Sequence, residues 1–166
     1  MRRVPLFLAL TLALTLPVVA AVSPDFAARR ASLRKSIPDG PVVLFGSHES
    51  EDLHEPYFQQ TDFYYLTGWE EPNAILILTP EPDKAEPDYE ARAKAPREIL
   101  FLPQRVLQQE KWTGRKLGPS DPEAPALTGV ATVLPAERFE TELRALLDLY
   151  PNLYALTSDP LAAPLA

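Results

Sequence analysis

The chain has 166 residues and no cysteine, with 16 basic residues against 23 acidic ones for a formal net charge of −7. That length supports one domain of ordinary size with its own core, and with no thiol the core must hold the fold without disulfides. The acidic balance excludes nucleic acid and anionic membrane as partners, because both require clustered Lys and Arg.

Residues 1–21 read as a signal peptide. Arg2 and Arg3 give a positive start, Leu6 to Leu16 is an apolar core, Pro17 breaks it, and Val19-Ala20-Ala21 supplies the small residues before a cleavage site. The apolar run is shorter than the roughly 20 residues a bilayer crossing needs, and no cysteine is present to carry a lipid. A secreted or periplasmic location follows, with 22–166 as one mature domain. Losing Arg2 and Arg3 leaves 14 basic residues against 23 acidic ones and moves the net charge from −7 to −9.

Ser23 is a good N-cap, Pro24 suits the first helical position, and Asp25 lies where the helix end is positive. Phe26, Ala27, Leu33 and Ile37 recur at roughly helical spacing, so 24–36 reads as an amphipathic helix. Pro38-Asp39-Gly40-Pro41 stops it. Val42 to Phe45 follows as a strand apolar enough to be covered on both faces. Phe63 to Leu66 reads as a second, aromatic strand, Gly68 as a turn, and Ala74 to Thr79 as a third strand. Trp69, between two apolar strands, is expected to pack.

The stretch 80–96 is rich in Pro, Glu, Lys and Asp and has little apolar material to bury. It reads as a solvated hairpin tip, because strand character resumes at Glu98 to Leu102. Residues 114–125 read as turn-rich and irregular. Val130 to Leu134 is the next strand. Pro135 then opens a helix on which Phe139, Leu143, Leu146, Leu147 and Tyr150 form one stripe. Pro151 ends it, and Asn152 to Leu156 reads as the last strand. The fold class is therefore α/β, a mixed sheet of about six strands flanked by helices.

Two stretches could carry chemistry. His48-Glu49-Ser50-Glu51-Asp52-Leu53-His54-Glu55 has the ligand types for zinc or manganese, but its spacing matches no compact metal motif. It reads as a solvated loop, with a metal site on His48 and His54 as the competing reading. No nucleophile elbow, phosphate loop or serine triad is visible. In Glu110-Lys111-Trp112-Thr113-Gly114-Arg115-Lys116-Leu117-Gly118, Trp112 and Arg115 could offer an aromatic face and a cation to a partner. The residue chemistry alone favours Trp112 as a cap on the core.

Together these pieces resemble the amino-terminal domain of aminopeptidase P, in the creatinase/prolidase family. The resemblance rests on Asp62-Phe63-Tyr64-Tyr65-Leu66-Thr67-Gly68 and Trp112-Thr113-Gly114-Arg115-Lys116-Leu117-Gly118, with the 28–33 helix, Tyr57 with Gln59, and Leu100-Phe101-Leu102-Pro103 in family order. It implies a mixed-sheet α/β domain with no catalytic residue, which assembles oligomers and shapes an active-site entrance. The chemistry would belong to a pita-bread domain that this chain lacks, present in cis or as a separate chain. There, two aspartates, a histidine and two glutamates hold two manganese ions, and the metals activate a water that attacks the bond before proline. This chain would itself bind no cofactor.

The same resemblance places Trp112 and Arg115 near a neighbouring subunit's active site and makes Trp112, Arg115 and Tyr57 the substrate-proximal residues, with proline-containing peptides as ligands. Relatives often carry an arginine just before the residue matching Gln59. Phe58 stands there instead, and cannot make the ion pair an arginine would. The expectation is an inactive fragment of a secreted Xaa-Pro metalloaminopeptidase. The competing expectation is a free-standing secreted module that binds peptide or protein through Trp112 and Tyr57.

Overall fold

In the computed structural model, residues 24–49 and 56–155 are described. They form helix α1 (Pro24–Ser36), strand β1 (Val42–Phe45), α2 (Thr61–Thr67), β2 (Ile75–Leu78), α3 (Tyr89–Lys94) and β3 (Glu98–Leu102). Short helices α4 (Glu110–Thr113) and α5 (Ala124–Thr128) follow, then β4 (Thr132–Pro135), a 3-10 turn at Ala136–Arg138, α6 (Phe139–Leu147) and β5 (Tyr154–Ala155). The signal-peptide reading of 1–21, the Ser23 cap and the continuation of the last strand to Leu156 lie outside the described residues.

The sheet order is β4-β3-β2-β1-β5. Its centre is antiparallel, with β1 against β2 and β2 against β3, while the flanking pairs β3/β4 and β1/β5 are parallel. The sheet is mixed, as expected, but has five strands rather than about six. Alternation along the strands splits the core in two. Leu44, Leu76, Leu78, Leu100 and Leu102 face one layer with Phe63, Leu66 and Val130, whereas Val43, Phe45, Ile77, Ile99 and Phe101 face Leu143, Leu146 and Tyr150 of the α6 region. Both faces are covered, which is why the central strands read as unbroken apolar runs.

The missing strand is the aromatic one. Residues 61–67 form a helix, not a strand, with Phe63, Leu66 and Thr67 buried and Tyr64 and Tyr65 exposed. Burial at i, i+3 and i+4 is helical periodicity; a strand would have buried alternate residues. Thr67 Oγ1 donates back to the Phe63 carbonyl at 2.7 Å and accepts from Trp69 N–H at 3.0 Å. Gly68, at φ +65, closes the helix by donating its N–H to Tyr64 O. An added Cβ there would sit 2.4 Å from the Phe26 ring, so glycine serves both the left-handed turn and the close approach.

Helix α1 spans the expected residues, but its inner face is not purely apolar. Arg30 is fully buried and Arg34 nearly so. Arg30 donates Nε to Glu98 Oε2 at 2.8 Å, Nη1 to Leu66 O at 3.0 Å and Nη2 to Gly129 O at 2.7 Å. One guanidinium thus ties α1 to the ends of α2 and α5 and to the start of β3. Arg34 Nε donates to Thr79 O at 2.9 Å. Its Nη2 lies 2.9 Å from Glu81 Oε1, as a charge contact without hydrogen-bond alignment.

The 80–96 stretch does join an antiparallel pair, as a hairpin connection should, but it contains α3. Arg92 returns from that helix to donate to Leu149 O at 3.0 Å and to stack 4.8 Å over the Tyr150 ring. On the α6 stripe, Leu143, Leu146 and Tyr150 are buried while Leu147 is exposed. Pro135 ends β4 and, as expected, opens the helical stretch, as the N-cap of the 3-10 turn that runs into α6 with Glu137 in its first turn; as an edge strand, β4 tolerates it. At the other edge, Tyr154 Oη and Asn152 Nδ2 clasp the Asp39 carboxylate at 2.7 and 2.8 Å.

Candidate functional site at the loop end of the sheet

The chain leaves β1, enters β2 and leaves β3 at the same end of the sheet, so 46–49 and 56–60 of the first loop gather there with the loops 68–74 and 103–123. The first two are clamped by Gln59. Its Oε1 accepts from Ser47 N–H at 2.6 Å and Gln60 N–H at 3.0 Å, and its Nε2 donates to Trp69 O at 3.2 Å and Glu71 O at 3.1 Å. Asn73, at φ +62, donates its N–H to Ser47 O at 2.9 Å. The Pro72-Asn73 pair is a turn signal that sequence reading could have used, since asparagine tolerates the left-handed region.

The third loop is held by ion pairs. Arg105 reaches Glu110 through Nε at 2.6 Å and Nη2 at 2.8 Å, and Asp121 through Nη1 at 3.1 Å. Asp121 Oδ2 accepts from Gly118 N–H at 2.8 Å, and Arg115 Nη2 donates to Glu123 Oε1 at 2.7 Å. Glu110 is held below the usual carboxylate range first by its hydrogen bond from Arg105. Asp121 is lowered first by the Gly118 N–H and then by the charges of Arg105 and Arg115. Lys116 Nζ lies 3.1 Å from Glu71 Oε2 and joins this loop to the Trp69–Asn73 turn.

This bracing presents apolar side chains to solvent. Trp112 is 89 % exposed, and Val106 and Leu107 are exposed beside it in the sequence. Trp112 therefore does not cap the core, contrary to what residue chemistry alone favoured; α4 is one turn long with no buried residue. Gly114 turns the chain immediately after it at φ +79.

Tyr57 stands at the margin of the same end. Burial raises its hydroxyl pKa first, and the charges of Glu71 and Glu49 raise it further. Trp112, Arg115 and Tyr57 are thus carried on loops of one end of the sheet, with Glu71 linking them: it acts electrostatically on Tyr57 and pairs with Lys116. Arg115 is already engaged by Glu123 and Asp121. Phe58 is 76 % exposed, a bare ring where the resemblance expects a cation. Trp69, by contrast, packs against the core as expected.

The metal readings divide. His48 is exposed and His54 lies outside the described residues. Among the described residues no group of three or more His, Cys, Asp or Glu side chains could hold a metal ion. Sequence reading missed Arg105, Glu110, Asp121 and Glu71. They lie in loops or, for Glu110, at the start of the one-turn helix α4, with no periodicity to mark them, and only the fold brings them together.

Comparison with known proteins gives one consistent answer. A family model described as aminopeptidase P, N-terminal domain, matches residues 26–154. The Xaa-Pro aminopeptidase of Escherichia coli K12 is 32 % identical over 128 residues, covering 75 % of this chain and 26 % of that protein. Human Xaa-Pro aminopeptidase 3 is 36 % identical over 105 residues, covering 61 % of this chain and 19 % of that protein. Among solved structures, E. coli aminopeptidase P with the inhibitor Pro-Leu superposes with a TM-score of 0.66 at 28 % identity, over 85 % of this chain and 30 % of that one. Proline aminopeptidase P II from Yersinia pestis gives a TM-score of 0.64 at 28 % identity, over 84 % and 30 %. The chain spans less than a third of each of these relatives.

Proposed function

The chain belongs to the aminopeptidase P amino-terminal domain family, and on that premise we propose that it is the non-catalytic, assembly-forming part of a secreted Xaa-Pro aminopeptidase. In this reading the loop end of the sheet faces a pita-bread catalytic domain or a neighbouring subunit. That other unit holds the manganese pair and cleaves the bond before proline. Residues 1–21 direct export, and the Trp112 loop borders the entrance through which a proline-containing peptide reaches the metals.

One observation carries the reading. A network from Arg105 through Glu110, Asp121, Arg115 and Glu123 fixes a loop whose most prominent product is a solvent-exposed tryptophan. Exposed indole with Val106 and Leu107 nearby costs solubility and gives the lone domain no core, whereas aromatic anchors on preorganised loops are what interfaces are built from. The chemistry available here is positioning: an aromatic face, braced carboxylates whose charges are matched by Arg105 and Arg115, and an exposed phenol at Tyr57.

Light scattering over a concentration series tests this. The wild-type chain is expected to self-associate through the unpartnered face, and Trp112→Ser to reduce that association. A wild-type chain that stays monomeric throughout and binds proline-rich peptides in a screen would instead favour the free-standing module.

A further inference from the structure

An apolar groove of about 750 Å³ lies at the sheet edge, among α1, α2, β1 and β5. Ser32, Leu33, Val42, Leu44, Leu66 and Tyr154 are among the residues that line it. Leu33 and Val42 pack against the core layer on the α1 face yet are only half-buried, so this strip of the layer is incompletely covered.

The groove adjoins a short strand. Strand β5 pairs with β1 at Val42 and Val43, and β1 continues for two residues beyond them, to Phe45. Tyr154 N–H donates to Pro41 O at 2.9 Å, and Gly46 N–H donates to Ala74 O at 2.8 Å. Backbone groups alternate between the two neighbours along a strand, so Val43 and Phe45 present theirs to the β5 side, and Leu44 presents its own to β2. In this parallel register the residue after Ala155 comes opposite Leu44. Its N–H there meets Val43 O, and its C=O meets Phe45 N–H.

The same register decides where its side chain goes. Tyr154, opposite Val42, lines the groove; Ala155, opposite Val43, also borders it but packs against the core layer on the α6 face. By alternation, position 156 shares the face of Tyr154 and Leu44. The sequence puts Leu156 there. We propose that this groove is the docking site of the chain's own segment 156–166, which lengthens β5 beside Leu44 and Phe45 and buries Leu156 in the groove.

One leucine does not fill the space. Leu161, Ala162, Ala163 and Leu165 supply further apolar side chains, and Pro160, which cannot donate to a ladder, limits the added strand. Fully extended, the segment reaches about 36 Å, against about 20 Å for the length of α1. A tethered segment also meets the groove at an effective concentration in the millimolar range, which a second copy or a free peptide does not match. Because β5 is parallel to β1, the docked segment heads for the end of the sheet where the loops of Tyr57 and Trp112 gather. The site does not depend on the assembly role proposed above.

Nuclear Overhauser spectra of the full chain with labelled leucine methyls test the docking. Leu156 methyls are expected to contact those of Leu44, and of Leu33 or Leu66. In an equal mixture of differently labelled chains, these contacts are expected within one chain and not between chains. Contacts found only between chains would put a second copy in the groove and overturn the proposal. So would the absence of any contact from 156–166 to the groove.

Amide exchange gives a second readout. Leu156→Asp is expected to speed exchange at Phe45 by about five- to tenfold, the worth of roughly one hydrogen bond, while Leu44, bonded toward β2, keeps its rate. A Phe45 rate equal to that of the wild-type chain would overturn the proposal. Outright unfolding of the variant would speed both amides, and the wild-type Overhauser contacts then decide.

Discussion

Arg30 and Glu98 meet at 2.8 Å across 68 residues of sequence, joining the first helix to the first residue of β3 with the guanidinium fully buried. The same arginine also satisfies the carbonyls of Leu66 and Gly129, so it is a four-element junction at the edge of the core.

Replacing it with methionine keeps the bulk and removes every donor. Arg30→Met is expected to cost about 3–5 kcal/mol by leaving Glu98 and two carbonyls unpaired. The urea midpoint should fall by about 1–3 M. Arg30→Lys, a point charge without the fork, should recover only part of that loss.

Gly68→Ala tests the turn that ends α2. Alanine at φ +65 is strained, and its methyl would collide with the Phe26 ring. A loss of about 1–3 kcal/mol is expected by thermal or urea unfolding. Gly114, at φ +79 and ψ 172, lies in a region essentially confined to glycine, so Gly114→Ala is also expected to cost about 1–3 kcal/mol through backbone strain alone, although the space around it is open.

These junctions also explain what was legible beforehand. The α1 and β3 boundaries, the β1 strand and the mixed sheet followed from caps, prolines and apolar runs. The family was legible from two motifs. Helix α2 was not, because Phe63-Tyr64-Tyr65-Leu66 has high strand propensity and turns helical only through the core that receives Phe63 and Leu66. The inward arginines of α1 were equally hidden: a charged residue reads as solvent-facing until its partner, distant in sequence, is known. Short helices α3 to α5 lie in Pro-rich or charged stretches that carry no apolar period.

The carboxylates bracing the Trp112 loop give a pH dependence with a definite sign. Glu110 and Asp121 are both held below their ordinary values in the folded chain. Their contribution is therefore complete at neutral pH and is lost as pH falls below about 4 through the folded values. Trp112 fluorescence anisotropy in a Trp69→Phe background is expected to stay constant from pH 8 to about pH 5 and to fall below that. Glu110→Gln should lower the anisotropy at neutral pH and leave a smaller acid transition.

Trp112→Ala separates interface from core. At 89 % exposure the indole contributes little to folding, and the unfolding midpoint is expected to move by no more than about 0.5 kcal/mol equivalent. A loss of several kcal/mol would mean that the ring packs in the core after all.

The proposed non-catalytic role is tested most directly by hydrolysis. The purified full chain, supplied with manganese and an Xaa-Pro tripeptide, is expected to release no amino-terminal residue above the protein-free control. Release that grows with the concentration of this chain, and disappears on chelation of the metal, would contradict a non-catalytic role.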